Sequence, residues 1–330
     1  MKTIAITGPF NPATRQALHA AAPEGFDVID VPDESAYGQL KNADYIIIRT
    51  IGLKKEDLQD ASNMRLVQKW GAGYDRIDVR GIGELNIPVA ICNGVNAEPV
   101  AEMAVMHMLA LYRHFLAHNT KLRQNIWTKD EYSPKSYMLQ GKTVGIIGLG
   151  NIGMRVARIL KGFGVNEIYT DIVDKSELAN SLGIQVTTRE KLLQESDIVT
   201  IHVPMTKENY HMINREALHM MKPSAILINT ARGGLVDDEA LCEALRDGVI
   251  AGAGLDALPS EPPAPDWPLF QMENVVITPH TGGNTADNEA NMIGRCMENI
   301  LRIENRRPLR TRDLVNNEYL ISKLETEDIL

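Results

Sequence analysis

Three residues late in the chain have the types and order of an acid–base centre that handles a carboxylate: Arg232, Glu261 and His280. A histidine suits proton transfer because its unperturbed pKa lies near neutrality. A carboxylate beside a histidine stabilises the imidazolium and fixes the ring. An arginine grips a carboxylate with two parallel hydrogen bonds, which a lysine does not reproduce. Taken singly each has a plainer reading: Arg232 could cap a helix, Glu261 could be a solvated loop charge, and His280 a satisfied turn histidine. Their position behind a nucleotide motif changes that balance. The motif is the hexad Gly148-Leu149-Gly150-Asn151-Ile152-Gly153, after the apolar run Thr143–Ile147 and before a segment, Met154 to Phe163, with helical spacing. Asp171 closes the next apolar run, 18 residues beyond the last glycine. Strand, tight turn, helix, strand and carboxylate form the context that a dinucleotide fingerprint requires. The glycines allow the turn, a close approach of pyrophosphate, and helix packing on the strand. Asp171 would accept from the ribose hydroxyls and repel a 2′-phosphate; Lys175 is the one cation nearby, so NAD is favoured over NADP.

The elements that must position these groups follow from hydrophobic patterning. Before the hexad, apolar runs at Thr3–Thr7, Asp27–Val31, Tyr45–Ile48, Leu66–Lys69 and Val89–Ile91 alternate with helical stretches, which predicts a parallel sheet covered by helices. A helix of about Val100 to Gln124 is apolar on nearly every face and is expected to be buried on all sides, in a core or a subunit interface. After the hexad, runs at 168–170, 198–201, 226–229, 251–255 and 275–278 complete an expected six-strand nucleotide-binding unit. Helix returns over 286–305, and the alternating charge of the tail reads first as a solvated helix and second as a clasp.

Bulk properties narrow the function classes. The 330 residues suit two domains, and 44% hydrophobic with 23% charged content is that of an ordinary globular protein. A net charge of -9 argues against nonspecific nucleic-acid or anionic-membrane binding. No apolar stretch reaches membrane-spanning length, and Gly8-Pro9 breaks the first apolar run too early for a signal peptide. Cys92, Cys242 and Cys296 are widely spaced, without metal-type or disulfide patterning, so a cytoplasmic home without metal is expected.

Taken together the motifs resemble the D-isomer-specific 2-hydroxyacid dehydrogenases. The matches run from Lys69-Trp70-Gly71-Ala72-Gly73-Tyr74-Asp75-Arg76-Ile77-Asp78 through the hexad, His202-Val203-Pro204, Thr230-Ala231-Arg232-Gly233-Gly234, Gly254-Leu255-Asp256, Glu261-Pro262 and Thr278-Pro279-His280. The resemblance implies an α/β fold of two doubly wound parallel-sheet domains, a flavodoxin-like substrate domain and an inserted Rossmann NAD-binding domain. It implies a discontinuous substrate domain, residues 1–98 and 295–330, around an NAD domain, 99–294, that includes a dimerisation helix, with hinges near Glu98-Pro99 and 291–295. It implies NAD-dependent interconversion of a D-2-hydroxy acid and its 2-oxo acid by a homodimer. Arg232 would bind the carboxylate, His280 would be the acid/base and Glu261 its partner. Gly148, Gly150, Asn151, Ile152, Gly153, Asp171, Val203, Pro204, Thr230, Ala231, Arg232, Asp256, His280 and Gly282 would line the cofactor, Asp256 meeting the nicotinamide amide. Gly71, Ala72 and Gly73 would face the substrate. Arg49 matches a position that resembles phosphoglycerate dehydrogenases, where a second cation faces an anionic substrate; its plainer reading is a strand-end surface charge. No regulatory domain like that of some phosphoglycerate dehydrogenases is expected.

Thr281 departs from the apolar residue often found after the histidine, and Ala257-Leu258 from a commoner valine and phenylalanine. Two alternatives remain. One is an NAD(H)-sensing scaffold or corepressor on the same fold, against which the intact Arg232, Glu261 and His280 argue. The other is a formate-dehydrogenase-like reaction, whose histidine is paired with glutamine where this chain has Glu261. Hydroxypyruvate, glyoxylate or an unusual acid all remain open as substrate.

Overall fold

Short aliphatic runs bounded by polar turns become strands that are buried on both faces, as parallel strands require. The computed structural model describes residues 1–328. The chain begins with β1 (Lys2–Thr7), α1 (Pro12–Ala20), β2 (Phe26–Val31), β3 (Tyr45–Ile48), β4 (Leu66–Lys69), α2 (Val79–Glu84) and β5 (Val89–Ala90). These strands form one parallel sheet in the order β2-β1-β3-β4-β5, the flavodoxin-like arrangement. Alternation along β1 sends Ile4 and Ile6 to one face and Ala5 to the other, and each face has its own apolar cluster.

The chain then enters a second unit, Ala97–Gly283. It opens with α3 (Ala97–Tyr112) and α4 (Phe115–Arg123), followed by β6 (Thr143–Ile147), α5 (Asn151–Lys161), β7 (Asn166–Thr170) and α6 (Ser176–Leu182). Next come β8 (Gln185–Val186), α7 (Arg189–Glu195), β9 (Ile198–Ile201), α8 (Arg215–Met220), β10 (Ile226–Asn229), α9 (Asp238–Arg246), β11 (Gly252–Leu255) and β12 (Val275–Ile277). The sheet has seven strands, β12-β11-β10-β9-β6-β7-β8, all paired in parallel. The expectation of six is corrected by β8, a two-residue strand whose side chains are exposed and therefore carry no hydrophobic signal.

The expected helix over residues 100–124 is also corrected. It breaks after Tyr112 because His114 adopts a left-handed backbone, with φ 45°. The His114 ring stacks on Tyr132 at 4.9 Å and its Nε2 lies 3.1 Å from the Lys135 carbonyl. Those contacts, made by residues distant in sequence, override helical propensity. Burial on all sides does not hold within the chain: α3 buries Ala101, Ala104, Val105, His107 and Met108, whereas Met106, Phe115, Leu116 and Leu122 are exposed.

After Gly283 the chain rejoins the first unit, which comprises Met1–Asn96 and the described residues from Asn284 onward. Helix α10 (Ala286–Glu304) is unbroken through 291–295 and lays Met292, Ile293, Cys296, Met297 and Ile300 on the cluster of Ile4, Ile6, Tyr45 and Leu66. The tail is not a solvated helix. It holds two short strands, β13 (Leu309–Arg310) and β14 (Thr326–Glu327), and a single tight turn at Asn317–Tyr319. Its middle straps the edge strand β5: Ile91 N donates to Asp313 O, and Val315 N to Val89 O. The buried Asn316 side chain accepts from Val89 N at 2.8 Å and donates to Ile87 O and Val79 O. An open sheet edge is thereby covered, which outweighs what the charge pattern favours.

Candidate active site

The carboxyl end of the seven-stranded sheet collects every chemistry-bearing segment of its unit, and strand order reverses between β6 and β9, where such sheets bind ligands. The turn from β6 to α5 is the hexad. Gly148 has φ 94°, and a Cβ there would lie 2.6 Å from Val203 Cγ1 and 2.8 Å from the His202 carbonyl. A Cβ on Gly153 would lie 2.1 Å from the Gly148 carbonyl, so both glycines serve internal closeness. Gly150 differs: nothing lies within 4 Å of where its Cβ would be. It caps α5 without a side-chain hydrogen bond, at the end of a helix whose dipole favours an anion. Asn151 and Ile152 open that helix. Asp171, just past β7, accepts from Leu149 N at 2.8 Å and Val173 N at 3.0 Å, which ties the acidic residue to the hexad. Val203 and Pro204 follow β9. His202 beside them is buried, its Nε2 2.9 Å from Thr200 Oγ1, and burial pushes its pKa down to about 3. Thr230 Oγ1, past β10, is buried with no hydrogen-bond partner among the described residues. An open cradle at Gly150, a helix terminus with no side-chain cap from that glycine, and a buried orphan hydroxyl fit a dinucleotide.

Arg232 follows β10 through Thr230 and Ala231. Asn229 shapes that turn: its amide donates to the Arg232 carbonyl at 2.8 Å and its oxygen accepts from Ala231 N. The half-buried Arg232 side chain donates to the Ala231 carbonyl at 2.7 Å. The next residue, Gly233, packs on the loop that carries Glu261, since a Cβ there would lie 2.0 Å from the Leu258 carbonyl. Asp238, the first residue of α9, accepts from the buried Trp267 Nε1 at 2.8 Å, a second tie to the loop that carries Glu261. Neither Asn229 nor the Asp238–Trp267 pair was singled out from sequence. A polar residue ending the run Ile226-Leu227-Ile228 is the one signal for Asn229.

His280, past β12, lies with Nδ1 2.8 Å and 2.9 Å from the two Glu261 oxygens. A carboxylate only accepts, so Nδ1 carries the proton and Nε2 is the nitrogen turned away from Glu261. Burial alone would raise the Glu261 pKa. The His280 hydrogen bond and charge, with the Leu258 N–H and the Arg232 charge, outweigh it and hold the carboxyl below its ordinary value. His280 sits at φ 53°, in the left-handed region. Buried Asp256 secures the loop beyond it, accepting from Thr281 N at 2.9 Å, Gly282 N at 2.8 Å and Thr278 Oγ1 at 2.6 Å.

Arg49 and Gly71, Ala72 and Gly73 belong to the other unit, at the carboxyl ends of β3 and β4. The Arg49 guanidinium lies 5.6 Å over the Phe10 ring, which meets Trp70 edge-on at 5.3 Å. Burial lowers the Arg49 pKa against the pull of Glu289. At Gly71, with φ 102°, nothing lies within 4 Å of where a Cβ would be. Among the described residues no cluster of His, Cys, Asp and Glu could hold a metal, and no helix is long and apolar enough to cross a membrane.

A glycine cradle at the switch point of a doubly wound sheet, with a histidine–carboxylate pair and an arginine on the same edge, defines a nucleotide-dependent oxidoreductase. Residues 105–282 match the family described as D-isomer specific 2-hydroxyacid dehydrogenase, NAD binding domain. The chain belongs to that family. It is 39% identical over 267 residues to a glyoxylate reductase of Korarchaeum cryptofilum, covering 80% of each chain. It is 37% identical over 257 residues to a D-3-phosphoglycerate dehydrogenase of Methanocaldococcus jannaschii, matching 77% of this chain and 48% of that protein. The crystal structure of D-lactate dehydrogenase from Aquifex aeolicus complexed with NAD and lactic acid has a TM-score of 0.82 at 27% identity, covering 91% of this chain and 95% of that one. The chain is an NAD-dependent oxidoreductase that interconverts 2-hydroxy and 2-oxo acids.

Proposed function

We propose that the chain reduces a small 2-oxo acid, glyoxylate first among the candidates, with Arg232, Glu261 and His280 as its catalytic groups. The observation that carries this reading is the His280–Glu261 pair on the sheet edge that also bears Arg232. NAD(H), when bound, supplies or takes up the hydride at C2 of the acid. Arg232 holds the substrate carboxylate in a two-bond grip. His280 gives its Nε2 proton to the oxygen on C2 during reduction and recovers it in the reverse direction. Glu261 keeps the ring in that tautomer and stabilises its charge. Asp171 takes the ribose hydroxyls and the helix N-terminus at Gly150 the pyrophosphate, with Gly148, Asn151, Ile152, Gly153, Val203, Pro204, Thr230, Ala231 and Gly282 lining the cofactor and Asp256 meeting its amide. Gly71, Ala72 and Gly73 bind substrate through their backbone. Half-buried Arg49, which makes no ion pair among the described residues, adds a second positive charge for an anionic acid.

A panel of 2-oxo acids, assayed by NADH oxidation and run beside formate with NAD, tests the proposal. Turnover of glyoxylate or hydroxypyruvate is expected. Tight NADH binding without turnover of any acid would return the chain to a sensing role, and formate oxidation would reassign it. His280→Ala is expected to lower kcat about 10²–10⁴-fold with NADH affinity unchanged. Near-normal turnover in that variant would end the assignment of His280.

The same reading includes a homodimer. Phe115, Leu116, Leu122, Ile126 and Trp127 are exposed on and just after α4, and a second copy would bury them. Sedimentation of the wild type as a dimer, and of Leu122→Asp as a monomer, is the expected result. The three buried thiols favour a cytoplasmic home.

A further inference from the structure

Helix α3 carries one buried polar residue that no step above employs. His107 has no exposed surface, on a helix whose other buried residues are largely apolar: Ala101, Ala104, Val105 and Met108. Desolvating an imidazole is costly unless its nitrogens are engaged. Its Nε2 lies 3.1 Å from Thr278 Oγ1, and its Nδ1 has no hydrogen-bond partner among the described residues. Thr278 Oγ1 in turn lies 2.6 Å from Asp256 Oδ1. A hydroxyl has one proton and a carboxylate only accepts, so the Thr278 proton goes to Asp256 and the proton shared with His107 comes from the imidazole. The ring therefore carries its hydrogen on Nε2. Burial holds this histidine below its ordinary pKa despite the pull of Asp256 and of the Gly254 backbone, which keeps it neutral. A Cβ on Gly254 would lie 2.8 Å from His107 Cβ and 3.1 Å from Nδ1, so α3 is seated directly on β11 and the ring is confined.

We propose that His107 is a positioning residue for the nicotinamide end of the cofactor site, acting through Thr278 on Asp256 and thereby on the loop that follows His280. The proposal rests on the roles given above to Asp256 and His280. With Thr278 and Thr281 on Oδ1 and Gly282 on Oδ2, the carboxylate has one acceptor position left, which suits the amide donor of a nicotinamide. His107 fixes the direction of the relay: without its N–H, the Thr278 hydroxyl loses the donor that holds it, and Asp256 keeps its two backbone donors while its third, from Thr278, is no longer aimed.

The test compares His107→Leu, His107→Gln and Thr278→Val for melting temperature, kcat, and affinity for NADH and for ADP-ribose, which lacks the nicotinamide. The leucine variant is expected to melt at or above the wild-type temperature and to bind ADP-ribose normally. Its NADH affinity and kcat are expected to fall about tenfold, the worth of one hydrogen bond. Glutamine, which restores an N–H near the Nε2 position, should recover most of both. In a Thr278→Val background His107→Leu should cost nothing further. Wild-type NADH affinity and kcat in His107→Leu would overturn the proposal, as would NADH and ADP-ribose affinities falling together with the melting temperature. Should the leucine variant fail to fold, His107→Asn, too short to reach Thr278, takes its place against glutamine with the same criteria. Asp256→Asn separates the two layers: unchanged NADH affinity there would remove the underlying role of Asp256 and the proposal with it, whereas weakened NADH binding beside a silent His107→Leu would remove the proposal alone.

Discussion

At Glu261, one side chain couples protonation to both chemistry and stability. Its folded pKa is depressed below the ordinary 4.5, so the stability it contributes is fully present above that value and is lost as pH falls through the lower folded value. The melting-temperature gap between wild type and Glu261→Gln should therefore be widest near neutrality and close progressively below about pH 4.5. A gap that widened on acidification would contradict the arrangement. Arg232 makes a different demand. Its planar fork, rather than its charge alone, is what a carboxylate reads, so Arg232→Lys should raise KM for the 2-oxo acid by tenfold or more, on the order of one lost charge-assisted bond. An unchanged KM would show that a point charge suffices.

At the scale of the element, the turn from β6 into α5 separates two uses of glycine. Gly153→Ala drives a Cβ into the Gly148 carbonyl and should destabilise the unit by roughly 1–3 kcal/mol, read as a lower melting temperature. Gly150→Val meets open space at φ -83°, so the melting temperature should hold while NADH affinity collapses. The reverse pattern would mean that the cradle faces nothing. The same contrast shows what the sequence makes legible. Runs such as Tyr45–Ile48 and Ile198–Ile201 announce buried parallel strands because burial on both faces fills them largely with apolar side chains. Exposed β8 makes no such announcement. The bend at His114 depends on Tyr132 and Lys135, and the strap at Asn316 on the backbone of Ile87 and Val89; neither partner is marked by local pattern. In the site, residue types and order point to the chemistry, and resemblance pairs Glu261 with His280. The contacts of Trp267 and His107 join segments brought together by the fold, so no spacing rule reveals them, whereas the Asn229 side chain bonds only within its own turn.

At the scale of the whole molecule, the strap and α10 tie the end of the chain to its beginning. Asn316→Ala removes three hydrogen bonds to the backbone of a buried edge and should cost about 2–4 kcal/mol. Because the hexad lies in the other unit, NADH affinity at low temperature should be retained; its loss would show that the two units do not keep separate accounts of stability. The interruption also sets an order on the ribosome. Residues 97–283 are contiguous and complete their own apolar clusters as soon as they emerge. The first 96 residues emerge earlier but lack Met292, Cys296 and Ile300, which cover one face of their sheet. The nascent chain thus holds its oldest segment unfinished until its youngest arrives, and that segment, with Ile4, Ile6 and Tyr45 uncovered, is where a cotranslational chaperone would be needed.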